Sequence, residues 1–237
     1  AEDSKLRFVI DAVTGSAETA LGKFQGVLGK VTGAATSLAG LAGIAGVTLS
    51  IGAAIKAAEE AEKGIAQMEA VLKSTGGVSG QTRESLEGFA KKAQELTGIE
   101  DDAVIAGQNM LLTFTNIRGD AFEPATTALL DMATAMSGGN VTADSLRGQA
   151  IQLGKALQSP VDGVSALGRV GVKFSDEQKE TIKRMVEMGD VVGAQTIILG
   201  ELETQFGGSA EAVGKTFGGQ LQKTKNDIGN LGESIGG

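Results

Sequence analysis

The chain has no cysteine, histidine, tryptophan or tyrosine in its 237 residues. This removes thiol and imidazole nucleophiles or bases, and every zinc site of the usual Cys/His kind. Disulfides cannot form, so packing must carry the stability. Aromatic residues make up only 3% of the chain and apolar residues 41%. A hydrophobic core is therefore expected to be built from Ala, Val, Ile, Leu and Met.

Glycine is abundant instead, with 36 residues. A single continuous helix of this length would run roughly 350 Å, yet each interior glycine costs about 1 kcal/mol relative to alanine. The expectation is short helices packed on one another rather than one rod. Charge is uneven: residues 1–56 carry five basic and four acidic groups, and the remainder holds 16 basic against 25 acidic, a net of −9. Such a surface repels the phosphate backbone, whose neutralisation by Lys and Arg drives non-specific nucleic-acid binding. No sequence-specific nucleic-acid binding is expected.

Near the start, residues 5–12 alternate in polarity, which suits either a short strand or the beginning of the helix that follows from about Ser16. Residues 31–55 then form an uncharged run bounded by Lys30 and Lys56. As a helix it would cover about 37 Å, enough for a hydrocarbon core of about 30 Å. Gly33, Gly40, Gly43 and Gly46 would let another backbone approach closely, beside Leu38, Leu41, Ile44, Leu49 and Ile51. These nine residues are the candidate self-association or membrane segment. A buried hairpin or oligomer seam, a latent membrane-active helix and disorder all remain open for it. A secretory signal does not fit, because the run lies too far from the start and lacks a compact basic leader.

Beyond Lys56 the pattern is all-α. Apolar stripes of helical period predict helices over about 57–73, 81–96, 102–115, 124–136, 143–157, 159–169, 176–188, 191–206 and 210–234. Leu86, Phe89, Ala93 and Leu96 are one expected core stripe, and Leu146, Ala150, Leu153 and Leu157 another. Pro124 is placed at a first helical position, and Ser159 as a cap before Pro160. Helices 176–188 and 191–206 should form an antiparallel hairpin. The organisation expected is an N-terminal helical region 1–56, a compact helical domain 57–206, and a Gly hinge with C-terminal helix over 207–237 that leads into further sequence. The absence of an initiator Met and the LGESIGG end suit an excised portion of a longer polypeptide, although a trimmed Met would also explain the start.

Two chemical readings fail on spacing. Glu100, Asp101 and Asp102 are consecutive, so on a helix they point in three directions, and they have no companion ligands for a cation. They are also not arranged as an acid and a base in different environments. The run GSAEAVGKT at 208–216 ends like a phosphate-binding loop, but Ser209 stands where the first glycine should be and a helix precedes it instead of a strand. No catalytic residue, metal ligand or cofactor is expected.

Residues 149–212 carry the strongest single signal: QLGKAL at 152–157, LGRVGVKFS at 167–175, the Gly189-Asp190 junction and LETQFGGSAEA from Leu202. This block resembles the tape measure proteins of tailed bacteriophages and prophages, specifically an N-terminal portion. Weaker similarity reaches TFTNIRGDAFEPATTALLDMATAM at 113–136 and the opening KLRFVIDA. The resemblance implies a virion structural protein in the tail tube lumen that sets tail length, organises tube assembly in the host cytoplasm and aids DNA ejection. Implied partners are the tail tube protein, tail assembly chaperones, tail tip or baseplate hub proteins, parallel copies of itself and the host inner membrane at ejection. A pore-forming helical protein and a carboxylate-based hydrolase are the alternatives the composition leaves open.

Overall fold

The structure, a computed structural model, describes residues 51–236. Residues 31–50 of the candidate segment 31–55 and the period-two stretch at 5–12 lie outside the described residues, and of the nine candidate residues only Ile51 falls within them. The chain divides into a unit of Glu60–Asp227 and a second unit containing Ala1–Glu59 and Ile228–Gly237.

Helices run α1 (Ile51–Ser74), α2 (Arg83–Thr97), α3 (Asp101–Leu112), a 3-10 turn (Gly119–Ala121), α4 (Phe122–Ser137), α5 (Ala143–Gln158), α6 (Pro160–Arg169), α7 (Asp176–Glu187), α8 (Val191–Phe206), α9 (Ser209–Gly214) and α10 (Phe217–Gly236). No strand occurs among the described residues, and the all-α expectation holds. No described helix is long and apolar enough to cross a membrane.

The helix starts follow from local chemistry. Thr82 and Thr142 each accept from the backbone N–H three residues on, and Ser85 and Ser145 return the bond to the Thr amide. This reciprocal box satisfies two amides that the helix itself cannot. Ser175 and Gln178 form a third such box. The first two belong to a recurring pattern, T-x-x-S-L-x-G-x-A, at Thr82 and again at Thr142. In both copies the Leu and the Ala are buried: Leu86 with Ala90, and Leu146 with Ala150.

Two helices form the centre. Residues 103–109 of α3 and 128–134 of α4 are buried without interruption, as expected where helices are covered on every side. α3 packs most extensively on α5, and α4 touches α3, α5, α8 and α9. Gly163 allows α6 to lie against the backbone of Ala156 in α5, where any Cβ would overlap it. Full burial of each large aliphatic chain contributes about 1.5–3 kcal/mol. The ion pairs seen all involve exposed or half-exposed side chains, so they add little.

Several expectations need correction. Phenylalanine does enter the core: Phe122 is fully buried and Phe174 nearly so. Leu96 is 47% exposed, because the α2 stripe turns inward through Ala90 and Ala93 instead. Pro124 sits at the third position of α4, not the first; the helix begins at Phe122, and a first-turn proline still sacrifices no intrahelical bond. Ser159 makes no side-chain cap bond, and the fixed φ of Pro160 starts α6 without one. The last predicted helix is interrupted between α9 and α10 at Lys215 and Thr216.

The α7–α8 hairpin is antiparallel, since Gln178 at the start of α7 donates to Glu201 near the end of α8 at 2.6 Å. Packing then continues beyond Phe206. Asp131 of α4, 7% exposed, accepts from Gly208 N at 3.1 Å and Ala210 N at 2.9 Å, and so pins the start of α9. Asn226 of α10 donates to Gly98 O at 2.9 Å, and Lys223 to Leu96 O at 2.9 Å, closing the C-terminal end of α2.

Candidate functional site

A cleft of 960 Å³ lies over the N-terminal half of α3, walled by α1, the α4–α5 turn, α9 and the start of α10. Small residues make up much of its lining: Gly64, Ala103, Ala106, Gly138, Gly139, Gly218 and Gly219. On α3, Asp102, Ala106 and Asn109 recur at i, i+4 and i+7, which puts them on one face, and all three line the cleft. Glu60 and Lys63 of α1, Glu100, and Asp144 with Arg147 of α5 supply its other charged groups.

The three consecutive acids occupy different environments. Glu100 is exposed, whereas Asp101 and Asp102 are half-buried. Asp101 accepts from the Asp102 amide at 3.1 Å and from Gln94 Nε2 at 3.4 Å. The Asp102 carboxyl is pushed up to about 6, first by burial and then by Asp101, Glu100 and Glu60. Burial and the charge of Glu60 on α1 thus set Asp102 apart from its two neighbours. No three carboxylates among the described residues converge to hold a metal ion.

Asn109 lies deeper and is 2% exposed. Its Nδ2 donates to Gly64 O at 2.9 Å, tying α3 to α1, while its Oδ1 has no hydrogen-bond partner. A buried acceptor in that condition costs about 1–3 kcal/mol. Gln108 Oε1 and Gln195 Oε1 are buried without a partner in the same way. Gln195 Nε2 donates to both Asn116 O and Leu157 O at 2.9 Å, deep among helices, and the side chain works as a structural brace. In summed chemistry the cleft offers several acceptors, and Arg147 is engaged by Asp144 at 2.9 Å.

No protein-family model matches the chain, and neither a curated protein nor a solved structure does. The residues of the 149–212 block therefore have to be understood from their contacts. Gly154 of QLGKAL lies beneath the Phe114 ring, and Leu153, Ala156 and Leu157 are fully buried. In LGRVGVKFS, Leu167, Val172 and Phe174 are buried, and Lys173 exchanges two backbone bonds with the Gln205 amide, at 3.1 and 2.8 Å. Gly189 takes a left-handed φ of 82°, and Asp190 accepts from Gly193 N at 2.8 Å. Every marked run thus contributes to joints of the fold. The phosphate-loop-like GSAEAVGKT is the short helix α9 and its flanks.

The cleft was invisible to spacing alone. Only the i, i+4, i+7 placement of Asp102, Ala106 and Asn109 hinted at a shared face, and the partner Glu60 comes from 42 positions earlier in the chain.

Proposed function

We propose that this chain is a folded portion of a phage tail tape measure protein, acting as an anchoring and ejection unit and not as the ruler itself. The observation that supports this reading is the block at 149–212, whose tape-measure-like runs are the joints between α5, α6, α7, α8 and α9. Residues selected to keep such a domain folded would recur together in that way.

Dimensions argue for the division of labour. As one straight helix the 168 residues of Glu60–Asp227 would span about 250 Å. A packed unit of that size has a radius of gyration of about 15 Å. Such a unit adds little length, whereas an extended helical portion elsewhere in a longer polypeptide adds about 1.5 Å per residue. The acidic surface fits a component sharing a tube with passing DNA. Partners on this reading are the tail tube protein, its assembly chaperones, the tail tip or hub proteins and further copies of the chain.

Electron microscopy of tails assembled with internal deletions tests it. Removing about 20 residues within Glu60–Asp227 should unfold the unit and abolish tails or infectivity. Evenly shortened tails, by about 1.5 Å per deleted residue, would show a stretched segment and overturn the proposal.

A further inference from the structure

We infer that α1 hinges at Gly64 under the control of the Asp102 proton: the turn ahead of the hinge, residues 60–63, stays beside α3 while Asp102 is neutral and moves off, widening the cleft, when Asp102 ionises. From Gly64 onward α1 is fastened. Asn109 Nδ2 on α3 donates to Gly64 O at 2.9 Å, Met68 is fully buried in the core, and Glu69 pairs with Arg83 of α2 at 2.7 Å. Ahead of Gly64 the packing thins, with Glu60, Glu62 and Lys63 exposed and Ala61 half-buried.

Gly64 marks the hinge because static packing gives no reason for a glycine there. A glycine inside a helix weakens it relative to alanine, and the fold demands one where a side chain would collide or where φ is positive. Neither condition holds. A Cβ at this position would meet Ile105 Cγ2 at 3.6 Å, an ordinary contact, and Gly64 does not belong to the glycines with positive φ. A backbone that has to bend does favour a residue without a Cβ. The cleft of 960 Å³ leaves the turn room to move, since Glu60, Lys63 and Gly64 line it from α1 while Asp102, Ala103 and Ala106 line it from α3.

The groups around Asp102 decide the direction. Burial, then Asp101, Glu100 and Glu60, push its carboxyl up to about 6, and of these charges Glu60 alone belongs to α1. Lys63 faces the cleft from α1 as well and tempers the repulsion, while Asp144 pairs with Arg147 on α5 at 2.9 Å. Lining residues from α2, the α4–α5 turn, α9 and α10 are uncharged. Moving residues 60–63 off carries Glu60 away and lets water reach the carboxyl, which relieves two of the burdens on its charge. Opening and ionisation are therefore linked: the ionised form favours the open arrangement by the factor by which opening raises the acidity of Asp102. An ordinary value of 3.8 and one of about 6 differ by about a hundredfold in proton affinity. Glu60 and part of the burial account for a fraction of this, so a three- to tenfold change in opening, in order of magnitude, is expected.

Amide hydrogen exchange of the full chain near pH 5 and near pH 7.5, corrected for the intrinsic pH dependence of exchange, tests the hinge. Protection at residues 60–64 should fall by about threefold to tenfold at the higher pH, while residues 103–109 of α3 and 128–134 of α4 keep theirs. Asp102→Asn, close in shape and free of the strained charge, should hold residues 60–64 protected at both pH values, and Glu60→Gln, at an exposed position, should shrink the difference. Gly64→Ala, whose Cβ has room, should slow exchange ahead of the hinge at both pH values. The inference is overturned by equal protection of residues 60–64 at the two pH values, by a pH response unchanged in Asp102→Asn, by exchange unaffected in Gly64→Ala, or by α1, α3 and α4 losing protection together, which would mean a weaker fold and not a moving turn.

Discussion

Replacing Asp131 by asparagine should loosen the attachment of α9 more than any change on the surface. The carboxylate sits in the wall of buried residues on α4 and receives the amides of Gly208 and Ala210 from 77 and 79 residues away. Ala210 is 4% exposed, so its amide cannot turn to water when the partner is lost. A hydrogen bond to a charged group contributes about 1.5–3 kcal/mol, and an orphaned buried donor adds its own desolvation cost. Asparagine preserves the shape and one acceptor oxygen, but it presents an NH2 group to the second amide, donor against donor. The expected loss is about 2–3 kcal/mol. For a chain of this size each kcal/mol moves the melting temperature by roughly 2–4 °C, so thermal unfolding followed by circular dichroism should fall by roughly 5–10 °C. Amide exchange at Ala210 should accelerate before exchange in α3 does. Glu211→Gln, which removes only an exposed pair with Lys215, should leave the melting temperature where it is. A melting temperature unchanged in Asp131→Asn would refute the reasoning, because it would mean that α9 is held by its apolar contacts alone.

Three further expectations are open to direct measurement. Gly163→Ala should destabilise by about 3 kcal/mol or more, since its Cβ would overlap the Ala156 backbone, whereas Gly148→Ala, in open space on α5, should stabilise by about 0.5–1 kcal/mol in denaturant titration. Asp102 holds its proton in the folded state up to about 6, against an ordinary value of 3.8, so its contribution to stability is full below the lower value and is lost as pH rises through the higher. Asp102→Asn should therefore gain about 1 kcal/mol near pH 7.5, after allowance for solvent screening, and almost nothing near pH 4; a gain equal at both would argue against a strained carboxylate. Gln205→Leu loses both bonds to the Lys173 backbone and one to Glu201, and should cost about 1–2 kcal/mol with faster amide exchange at Lys173.

Helices with a single apolar face were legible in the sequence, and so were their ends wherever a cap is local. The stripe Leu146, Ala150, Leu153, Leu157 is fully buried, and Ser175 with Gln178 caps α7, because both depend on residues within a few turns of each other. Asp190 before α8 follows the same logic. What periodicity could not reach was any contact made across long separations. Asp131 reads as an ordinary polar position within α4, and nothing near it in sequence announces the start of α9. The buried aromatic Phe122 was missed for a related reason, since a low aromatic count says nothing about where the few aromatics go. The repeat of T-x-x-S-L-x-G-x-A at Thr82 and Thr142 was present in the sequence all along, and comparing the chain with itself would have found it.

The clasp of α10 on the C-terminal end of α2 has a consequence for synthesis. Lys223 and Asn226 reach Leu96 and Gly98 across 127 and 128 residues. A nascent chain therefore emerges from the ribosome with α2 complete but its final carbonyls unprotected, and with the surface that α10 will cover exposed to the cytosol. Local hairpins such as α7–α8 can close as they appear, yet the unit as a whole cannot lock until translation has passed Asn226. Separations of that length slow closure and prolong the interval in which apolar surface is available to other chains. Ribosome-stalled chains ending shortly before and shortly after Asn226 clears the exit tunnel should differ sharply in protease resistance, with the whole unit becoming protected in one late step.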